Sequence, residues 1–193
     1  MKRNITFVHI PKCGGTSIGA MDLCGRVHYF GHDIRNKNFQ YFKDSYQRKL
    51  SEFSFTFVRN PWDRLVSAYE YLKTGKSNYG DQKDFLHFFS HFKSFEDLIL
   101  NWDDIFFDQI HFKQQYKWIC DDHGKLLPDF IGKIENFQKD FSQVCDMINI
   151  PHQTVLNKNT INHSHYRTYY NKITQKIIAE KYKEDIDKFK YTF

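Results

Sequence analysis

The chain has 193 residues, of which 40% are hydrophobic and 18% aromatic, and its formal net charge is +5 at pH 7. This length predicts one domain over residues 1–193, large enough to bury a sizeable core. The mild positive charge favours an anionic ligand, and the lack of a Lys- or Arg-rich block argues against a polybasic arm for nucleic acid or membranes.

Cysteine spacing and hydropathy indicate an intracellular protein. The sequence has no C-x-x-C pair and no zinc-binding spacing among its four cysteines, Cys13, Cys24, Cys120 and Cys145. No apolar segment of a secretory signal follows Lys2 and Arg3, and no run reaches the ~18 apolar residues of a membrane span. We therefore expect a cytoplasmic protein with reduced thiols, no metal centre and no integral membrane segment.

The chain begins with a predicted strand that leads into a glycine-containing turn. Residues 5–10 are an apolar run, residues 11–17 read Pro-Lys-Cys-Gly-Gly-Thr-Ser, and an amphipathic pattern predicts a helix over 16–24. The two glycines allow backbone N–H groups to approach a ligand, the helix N-terminus favours anions, and the lysine adds a positive charge. The pattern predicts a phosphate or sulfate cradle formed by Lys12, Cys13, Gly14, Gly15, Thr16 and Ser17.

The order of residues in this turn differs from that of the nucleoside-triphosphate loop. In that loop, G-x-x-x-x-G-K-[ST], the lysine follows the last glycine, whereas Lys12 precedes the glycine pair. An acidic residue placed to bind magnesium is not evident either. The competing interpretation is an ordinary strand-to-helix turn in which the lysine occurs by chance.

A second strand-to-helix transition lies further along the chain. Residues 27–30 form a candidate strand, and residues 41–50 are predicted to be helical. The clearest strand is 53–58, which is rich in aromatic and β-branched residues. Asn60 is a suitable N-cap and Pro61 fits the first helical position, so a helix is predicted from there to about Thr74.

Arg59, at the end of that strand, is a second candidate anion ligand. It lies beside a helix N-terminus, where phosphate is favoured. Ser67 falls outside the apolar face of the helix, so its hydroxyl group is predicted to face the same ligand. The alternatives are a salt bridge between Arg59 and a nearby acid, and a simple packing contact for Ser67.

The rest of the chain is predicted to be mostly helical, with one more strand. In chain order, the elements are a long loop with a helical piece (75–93), a helix (94–102), a loosely helical segment (105–120), a turn (121–125), a strand (130–134), a helix (136–149), a loop (151–164) and a last helix (171–188). The inward face of the last helix is predicted to consist of Ile173, Ile177, Ile178, Tyr182 and Ile186.

The alternation of strands and helices predicts an α/β fold with three layers and a mostly parallel central sheet. Ligands of such folds bind at the carboxyl ends of the strands. The cradle and Arg59 each follow a strand directly, so both are expected at that edge.

The two motifs together resemble the cofactor-binding pair of the sulfotransferases, especially the carbohydrate sulfotransferases of the heparan sulfate 2-O and 6-O type and their bacterial relatives. Residues 10–17 resemble the loop that holds the 5′-phosphosulfate of 3′-phosphoadenosine 5′-phosphosulfate (PAPS), and residues 57–69 resemble the segment that holds its 3′-phosphate. Residues 111–115, 130–137 and 185–193 resemble later family segments, although 111–115 ends in Gln-Gln where the family usually has Pro-Gln. The resemblance covers most of the chain.

This resemblance implies a P-loop-NTPase-like fold and in-line transfer of a sulfuryl group from PAPS to a hydroxyl group of a glycan, without a metal. Lys12 would neutralise charge on the leaving phosphate, and Arg59 with Ser67 would hold the 3′-phosphate. The basic, aromatic segment 162–167 either closes over the cofactor, with Arg167 as a ligand, or faces an anionic acceptor. Half of a metal site at His163 and His165 is a further alternative.

The resemblance also implies a catalytic base between the two motifs. His32, in Gly31-His32-Asp33, resembles the Gly-His turn of the 2-O group, and an imidazole is suited to proton removal near pH 7. We predict that His32 is this base. The alternatives are a surface turn histidine at position 32, and His28 as the base.

Two other functions compete with sulfuryl transfer. A nucleotide or nucleoside kinase shares a similar fold, but the order of glycine and lysine argues against it. A binding module without catalysis is the second, and the presence of Lys12, Arg59, Ser67 and His32 argues against it.

Overall fold

The computed structural model of the chain describes residues 4–23, 26–30, 53–74, 79–156 and 163–193. Cys24, His32 and the helix predicted over 41–50 lie outside the described residues. The chain divides into two units, one comprising Met1–Arg59 and Gln115–Asn159, the other Asn60–Gln114 and Thr160–Phe193. Because each unit takes two separate segments, no single cut in the sequence separates them, and the one-domain organisation stays a prediction.

The first unit contains a parallel sheet. Among the described residues it has four strands, β1 (Asn4–Val8), β2 (Arg26–Phe30), β3 (Phe53–Val58) and β4 (Phe130–Lys133), in the order β2-β1-β3-β4. Ile5 of β1 lies opposite Val27 on one side and Phe53 on the other. The predicted α/β class with a parallel central sheet is confirmed, and the strand predicted at 53–58 has the predicted bounds.

The described helices are mostly short. In chain order they are α1 (Gly15–Ile18), α2 (Pro61–Lys73), α3 (Tyr79–Phe88), α4 (Phe95–Leu100), α5 (Tyr116–Ile119), α6 (Phe137–Ile148), α7 (Lys172–Lys181) and α8 (Lys183–Phe189). Three further segments form 3₁₀-helices, at Asp104–Asp108, Ile134–Asn136 and Tyr166–Tyr169.

Aromatic packing holds the sheet and α6 together in the first unit. Residues 54–58 of β3 are buried, as expected for a strand of a covered parallel sheet. The ring of Phe57 meets Phe137 edge to face, with centroids 4.8 Å apart, and Phe55 lies 5.1 Å from Phe7. The buried positions of α6 are Phe141, Val144, Cys145 and Ile148.

The second unit has an aromatic core of its own. Its fully buried members include large rings and aliphatic side chains from three helices, α2, α4 and α7, and from the segments between helices: Leu65, Leu72, Phe89, Leu98, Phe112, Ile178 and Tyr182. Burial of each such side chain contributes about 1.5–3 kcal/mol. This unit can therefore hold α2 in a fixed orientation.

Local signals correctly predict where α2 begins. The side chain of Asn60 accepts a hydrogen bond from the backbone N–H of Trp62 (3.1 Å), and Pro61 is the first helical residue. The side-chain amide of Asn60 also donates to the carbonyl of Thr192 (2.9 Å). Ser94 caps α4, because its hydroxyl group accepts a hydrogen bond from the N–H of Asp97 (3.0 Å).

Two predicted helical segments differ from the structure. The helix predicted at 16–24 ends at Ile18, because Gly19 follows and the N–H groups of Ala20 and Met21 bond three residues back, in turns. The segment 105–120 is not one helix but a 3₁₀-helix, a turn and the short α5. The helical piece predicted within 75–93 is the ten-residue α3.

The last predicted helix is interrupted at Tyr182, between α7 and α8. Tyr182 is buried and its hydroxyl donates to the carbonyl of Phe112, a tertiary anchor that outweighs the local helix preference. The buried face follows Thr174, Ile178 and Tyr182, so Ile173 lies outside it and is 64% exposed. The prediction that Ile173 points inward is wrong.

The described cysteines and helices can be compared with the expectation of reduced thiols and no integral membrane segment. Cys13, Cys120 and Cys145 are buried free thiols. Burial raises the pKa of the Cys145 thiol, which keeps it protonated. No helix in the described part of the chain is both long enough and apolar enough to cross a membrane.

Candidate functional site

The carboxyl ends of three strands of the first unit bring the predicted anion ligands to one edge of the sheet. β1 and β3 are parallel, with Val8 opposite Thr56, and β3 and β4 are parallel, with Val58 opposite Lys133. The turn after β1 and the Arg59 position after β3 therefore emerge on the same side of the sheet. Lys133 ends β4 at this edge and adds another positive charge there.

The turn after β1 holds Lys12 in an unusual backbone conformation. The N–H of Cys13 donates to the carbonyl of Ile10 (3.2 Å), which closes a four-residue turn with Pro11 and Lys12 at its centre. Lys12 has φ +67°, the left-handed value that the third position of a type II turn requires and that glycine or asparagine usually supplies. Such a conformation costs about 1–3 kcal/mol, and strained residues of this kind cluster at functional sites.

Packing favours glycine at both glycine positions of the cradle. Gly14 has φ +76° and is the N-cap residue of α1, and a Cβ atom there would lie 2.8 Å from Cδ1 of Ile134 and 2.9 Å from Cζ of Phe137. A Cβ atom on Gly15 would overlap the imidazole ring of His9. The His9 ring stacks on Phe7, with centroids 5.9 Å apart. The sequence analysis did not identify His9 as a residue that shapes this turn.

The remaining cradle residues differ in exposure. Thr16 is exposed, Lys12 is half-buried, and Ser17 is buried. Cys13 is buried, its thiol donates to the side-chain oxygen of Gln115 (3.3 Å), and its backbone N–H closes the turn by donating to the carbonyl of Ile10. Because α1 is a single turn, its dipole is small, and the amides and Lys12 supply most of the attraction for an anion.

Arg59 contacts the cradle directly. Its guanidinium Nη1 donates to the carbonyl oxygen of Lys12 (3.4 Å). Its backbone is held by the side chain of Gln115, whose Oε1 accepts from the Arg59 N–H (2.9 Å) and whose Nε2 donates to the Arg59 carbonyl (2.8 Å). Thus the two predicted anion ligands of the first unit, Lys12 and Arg59, are brought together.

Ser67 and Arg167 belong to the second unit. Ser67 is a buried residue of α2. Arg167 is exposed, and its Nη2 donates to the carbonyl of Phe193 (2.8 Å) while its guanidinium lies over the rings of Phe193 and Tyr166, 5.5 and 5.9 Å from their centroids. The predicted roles of both residues as cofactor ligands stay predictions.

The histidines considered in the sequence analysis fall into two groups. The predicted base, His32, lies outside the described residues, and the alternative, His28, is on β2 opposite Thr6. His163 Nδ1 lies 2.8 Å from the Ser164 carbonyl, and His165 Nδ1 accepts from the N–H of Arg167 (3.4 Å). Within the described ranges, no group of three or more His, Cys, Asp or Glu residues is arranged to hold a metal ion.

Gln115 is the clearest site residue to which sequence reasoning assigned no role. It lies in the segment 111–115, which resembles a family segment to which no ligand role is assigned. A long polar side chain before a short helix gives no local signal of burial. The motif-level resemblance was the one available indication that this residue has a role.

The chain is similar to known proteins over most of its length. The family model described as "Sulfotransferase family" matches residues 1–192. An "Uncharacterized protein" from Archaeoglobus fulgidus is 32% identical over 113 residues, which span 58% of this chain and 81% of that protein. No solved structure matches the chain.

Proposed function

We propose that this chain, which belongs to the sulfotransferase family, transfers a sulfuryl group from PAPS to a hydroxyl group of a glycan. Membership of the family supports sulfuryl transfer in general. The proposal adds PAPS as the donor and a carbohydrate as the acceptor, and it places the enzyme among bacterial-type cytoplasmic relatives of the heparan sulfate 2-O and 6-O enzymes.

One observation carries the choice of donor. The guanidinium of Arg59 and the turn that bears Lys12 lie in contact at the carboxyl edge of the sheet, through the bond from Nη1 to the Lys12 carbonyl. A donor with phosphate groups at both the 5′ and the 3′ positions requires two cationic anchors at a fixed separation. Lys12 and Arg59 supply two such anchors on one scaffold.

The reaction needs few protein groups. Lys12 and the backbone amides of residues 14–17 would stabilise the charge that develops on the leaving 5′-phosphate, while Arg59 and Ser67 hold the 3′-phosphate. The acceptor oxygen forms a bond to sulfur as the bond from sulfur to the 5′-phosphate oxygen breaks. The imidazole of His32 would take the proton of the acceptor hydroxyl group. These roles, and that of Arg167 as a further cofactor ligand, are part of the proposal.

The packing of the turn after β1 supports a role in stabilising charge on the leaving phosphate. Strain at Lys12 and close packing at Gly14 and Gly15 hold the cradle in one conformation before a ligand arrives. Charge stabilisation in catalysis is most effective when the donors are held in place in this way, because no reorganisation is needed during the reaction.

A transfer assay tests the proposal. The purified chain is incubated with sulfur-labelled PAPS and a panel of acceptors: oligosaccharides, lipid-linked glycans and simple phenols. We expect label in at least one carbohydrate acceptor, together with one equivalent of 3′-phosphoadenosine 5′-phosphate (PAP), and no label with the Lys12→Ala variant. Labelling of phenols alone would contradict the carbohydrate acceptor, and phosphoryl transfer from ATP with magnesium would favour a kinase instead.

A further inference from the structure

Gln115 is a buried side chain whose amide group bonds to both halves of the candidate donor site. Its exposure is 0%. Oε1 accepts from the N–H of Arg59 (2.9 Å) and from the thiol of Cys13 (3.3 Å), and Nε2 donates to the carbonyl of Arg59 (2.8 Å). The partners fix the orientation of the amide, because a backbone N–H can only donate and a carbonyl can only accept.

The contacts with Arg59 replace those of a neighbouring strand. The ladder between β3 and β4 ends at the pair Val58 and Lys133, so Arg59 is the first residue beyond it. The amide of Gln115 pairs with both backbone groups of Arg59, as a residue of an adjacent strand would. Pairing both groups restricts φ and ψ of Arg59 and therefore the direction in which its side chain leaves the backbone.

The same amide oxygen also reaches the cradle. Cys13 follows the strained Lys12 directly, and its thiol shares Oε1 with the Arg59 N–H. One side chain, 56 positions from Arg59 and 102 positions from Cys13 in sequence, thus touches both motifs.

We propose that Gln115 is a positioning residue that aims the Arg59 guanidinium at the 3′-phosphate of the donor and so sets the preference for donors that carry this phosphate. This inference rests on the proposed function. It assigns Gln115 no contact with the donor: the residue acts through the backbone of Arg59. The cradle itself is also held by its own turn bond and by the packing of its glycines, so binding of a 5′-phosphate depends less on Gln115.

The test compares PAP with adenosine 5′-phosphate, which lacks the 3′-phosphate, by calorimetry on the full chain. Gln115→Met keeps the length of the side chain and removes the amide group that contacts Arg59 and Cys13. We expect PAP affinity to fall about tenfold or more and adenosine 5′-phosphate affinity to change less than about threefold. In the Arg59→Ala background, Gln115→Met should cause no further loss of PAP affinity, since the side chain that it aims is gone.

Gln114→Met is the matched control. Gln114 is the preceding residue, and its Nε2 donates to the carbonyl of Lys181 (2.9 Å) in the second unit. This variant loses a comparable amide contact, and we expect both nucleotides to bind as they do to the wild type. A general loss of stability would lower the affinities for PAP and adenosine 5′-phosphate alike. The ratio of these two affinities therefore distinguishes a positioning role of Gln115 from a purely structural one.

Three results would overturn the inference. The first is that folded Gln115→Met binds both nucleotides as the wild type does. The second is that it loses affinity for both nucleotides equally. The third is that Gln115→Met causes a full additional loss of PAP affinity in the Arg59→Ala background. If wild-type protein binds PAP no better than adenosine 5′-phosphate, the proposed function fails first and the inference fails with it.

If Gln115→Met does not fold, a second variant replaces it. Gln115→Glu keeps the acceptor for the Arg59 N–H but sets a carboxylate against the Arg59 carbonyl, and the same fall in the ratio of PAP affinity to adenosine 5′-phosphate affinity is expected.

Hydrogen exchange on the wild-type protein provides a test without any variant. The Arg59 amide should be protected in the free protein and equally protected with PAP bound, because Gln115 holds it in both states. Protection that appears only with PAP would overturn the inference.

Discussion

The guanidinium of Arg59 donates a hydrogen bond to the backbone carbonyl of Lys12, with Nη1 3.4 Å from the oxygen. The two residues are 47 positions apart in sequence and follow different strands of one sheet. This bond places a strained lysine and an arginine side by side, and it makes specific predictions about each of them.

Lys12→Ala should lower turnover about 10²–10³-fold, because a preorganised charge at the leaving phosphate is lost. The free energy of unfolding should change by less than about 1 kcal/mol, since the side chain is half-buried and alanine inherits the same backbone strain. Steady-state kinetics with PAPS and denaturant unfolding measure the two effects. Lys125→Ala, at an exposed turn lysine, is the control and should leave both unchanged. Turnover within about threefold of wild type for Lys12→Ala would refute the assignment.

Arg59→Ala should weaken PAP binding by about 10–100-fold, the range expected for loss of charge-assisted hydrogen bonds to a phosphate. Adenosine 5′-phosphate should bind almost as tightly to the variant as to the wild type. Calorimetry with both nucleotides provides the comparison. Equal weakening of the two would mean that Arg59 supports the site as a whole rather than the 3′-phosphate.

His32→Ala should abolish transfer by removing the base, a loss of about 10²–10⁴-fold, while PAP affinity stays the same. Turnover and calorimetry on the same preparation separate catalysis from binding. The same substitution at His28 decides between the two histidines. If His28→Ala loses turnover and His32→Ala keeps it, the base has been assigned to the wrong residue.

Gly15→Ala should destabilise the protein by about 1–3 kcal/mol, because a methyl group there meets the His9 ring. Replacing His9 with alanine in the same chain should recover part of that loss by making room for the methyl group. Gly19→Ala is the matched control, since Gly19 has ordinary helical angles (φ −60°) and is exposed. Denaturant unfolding measures all of these variants, and equal stability of Gly15→Ala and wild type would show that His9 does not pack on Gly15.

Stability should fall as pH rises above about 10. Burial raises the pKa of the Tyr182 and Tyr170 hydroxyls above their ordinary value of 10.0. The folded state therefore holds these protons more tightly than the unfolded state does. Their stabilisation is present in full below the unfolded-state pKa and is lost as pH rises from there towards the folded-state pKa.

Unfolding of wild type and Tyr182→Phe across this pH range isolates the contribution of Tyr182 from lysines that titrate in the same range. The variant should be less stable at neutral pH, because the bond to the Phe112 carbonyl is lost, and its stability should decline less steeply with pH. Parallel declines in the two proteins would contradict the account.

Part of the fold can be predicted from local sequence signals. The strand at 53–58 and the start of α2 carry strong local signals, an aromatic β-rich run followed by Asn60 and Pro61, and the structure confirms both. The end of α1 and the interruption at Tyr182 carry weaker signals. There, Gly19 and a buried hydroxyl anchor override a helical pattern that extends further in sequence.

The candidate site could be predicted only in part, because some of its contacts join residues that are distant in sequence. Lys12 and Arg59 lie within short motifs, so the sequence identifies them as candidates. The role of His9 depends on the space above Gly15. The role of Gln115 depends on contacts with Arg59 and Cys13, which lie 56 and 102 positions away in sequence. No local pattern encodes such contacts, because they arise only when the strands align.

The central claim is that Lys12 and Arg59 form a site for a donor with phosphates at both the 5′ and 3′ positions. Titration of the wild-type chain with PAP, and separately with ATP and magnesium, tests it most directly. We predict that PAP binds at least about tenfold more tightly and, at 100 times its dissociation constant, adds about 2.7 kcal/mol of stability. Equal or tighter binding of ATP with magnesium would contradict the claim.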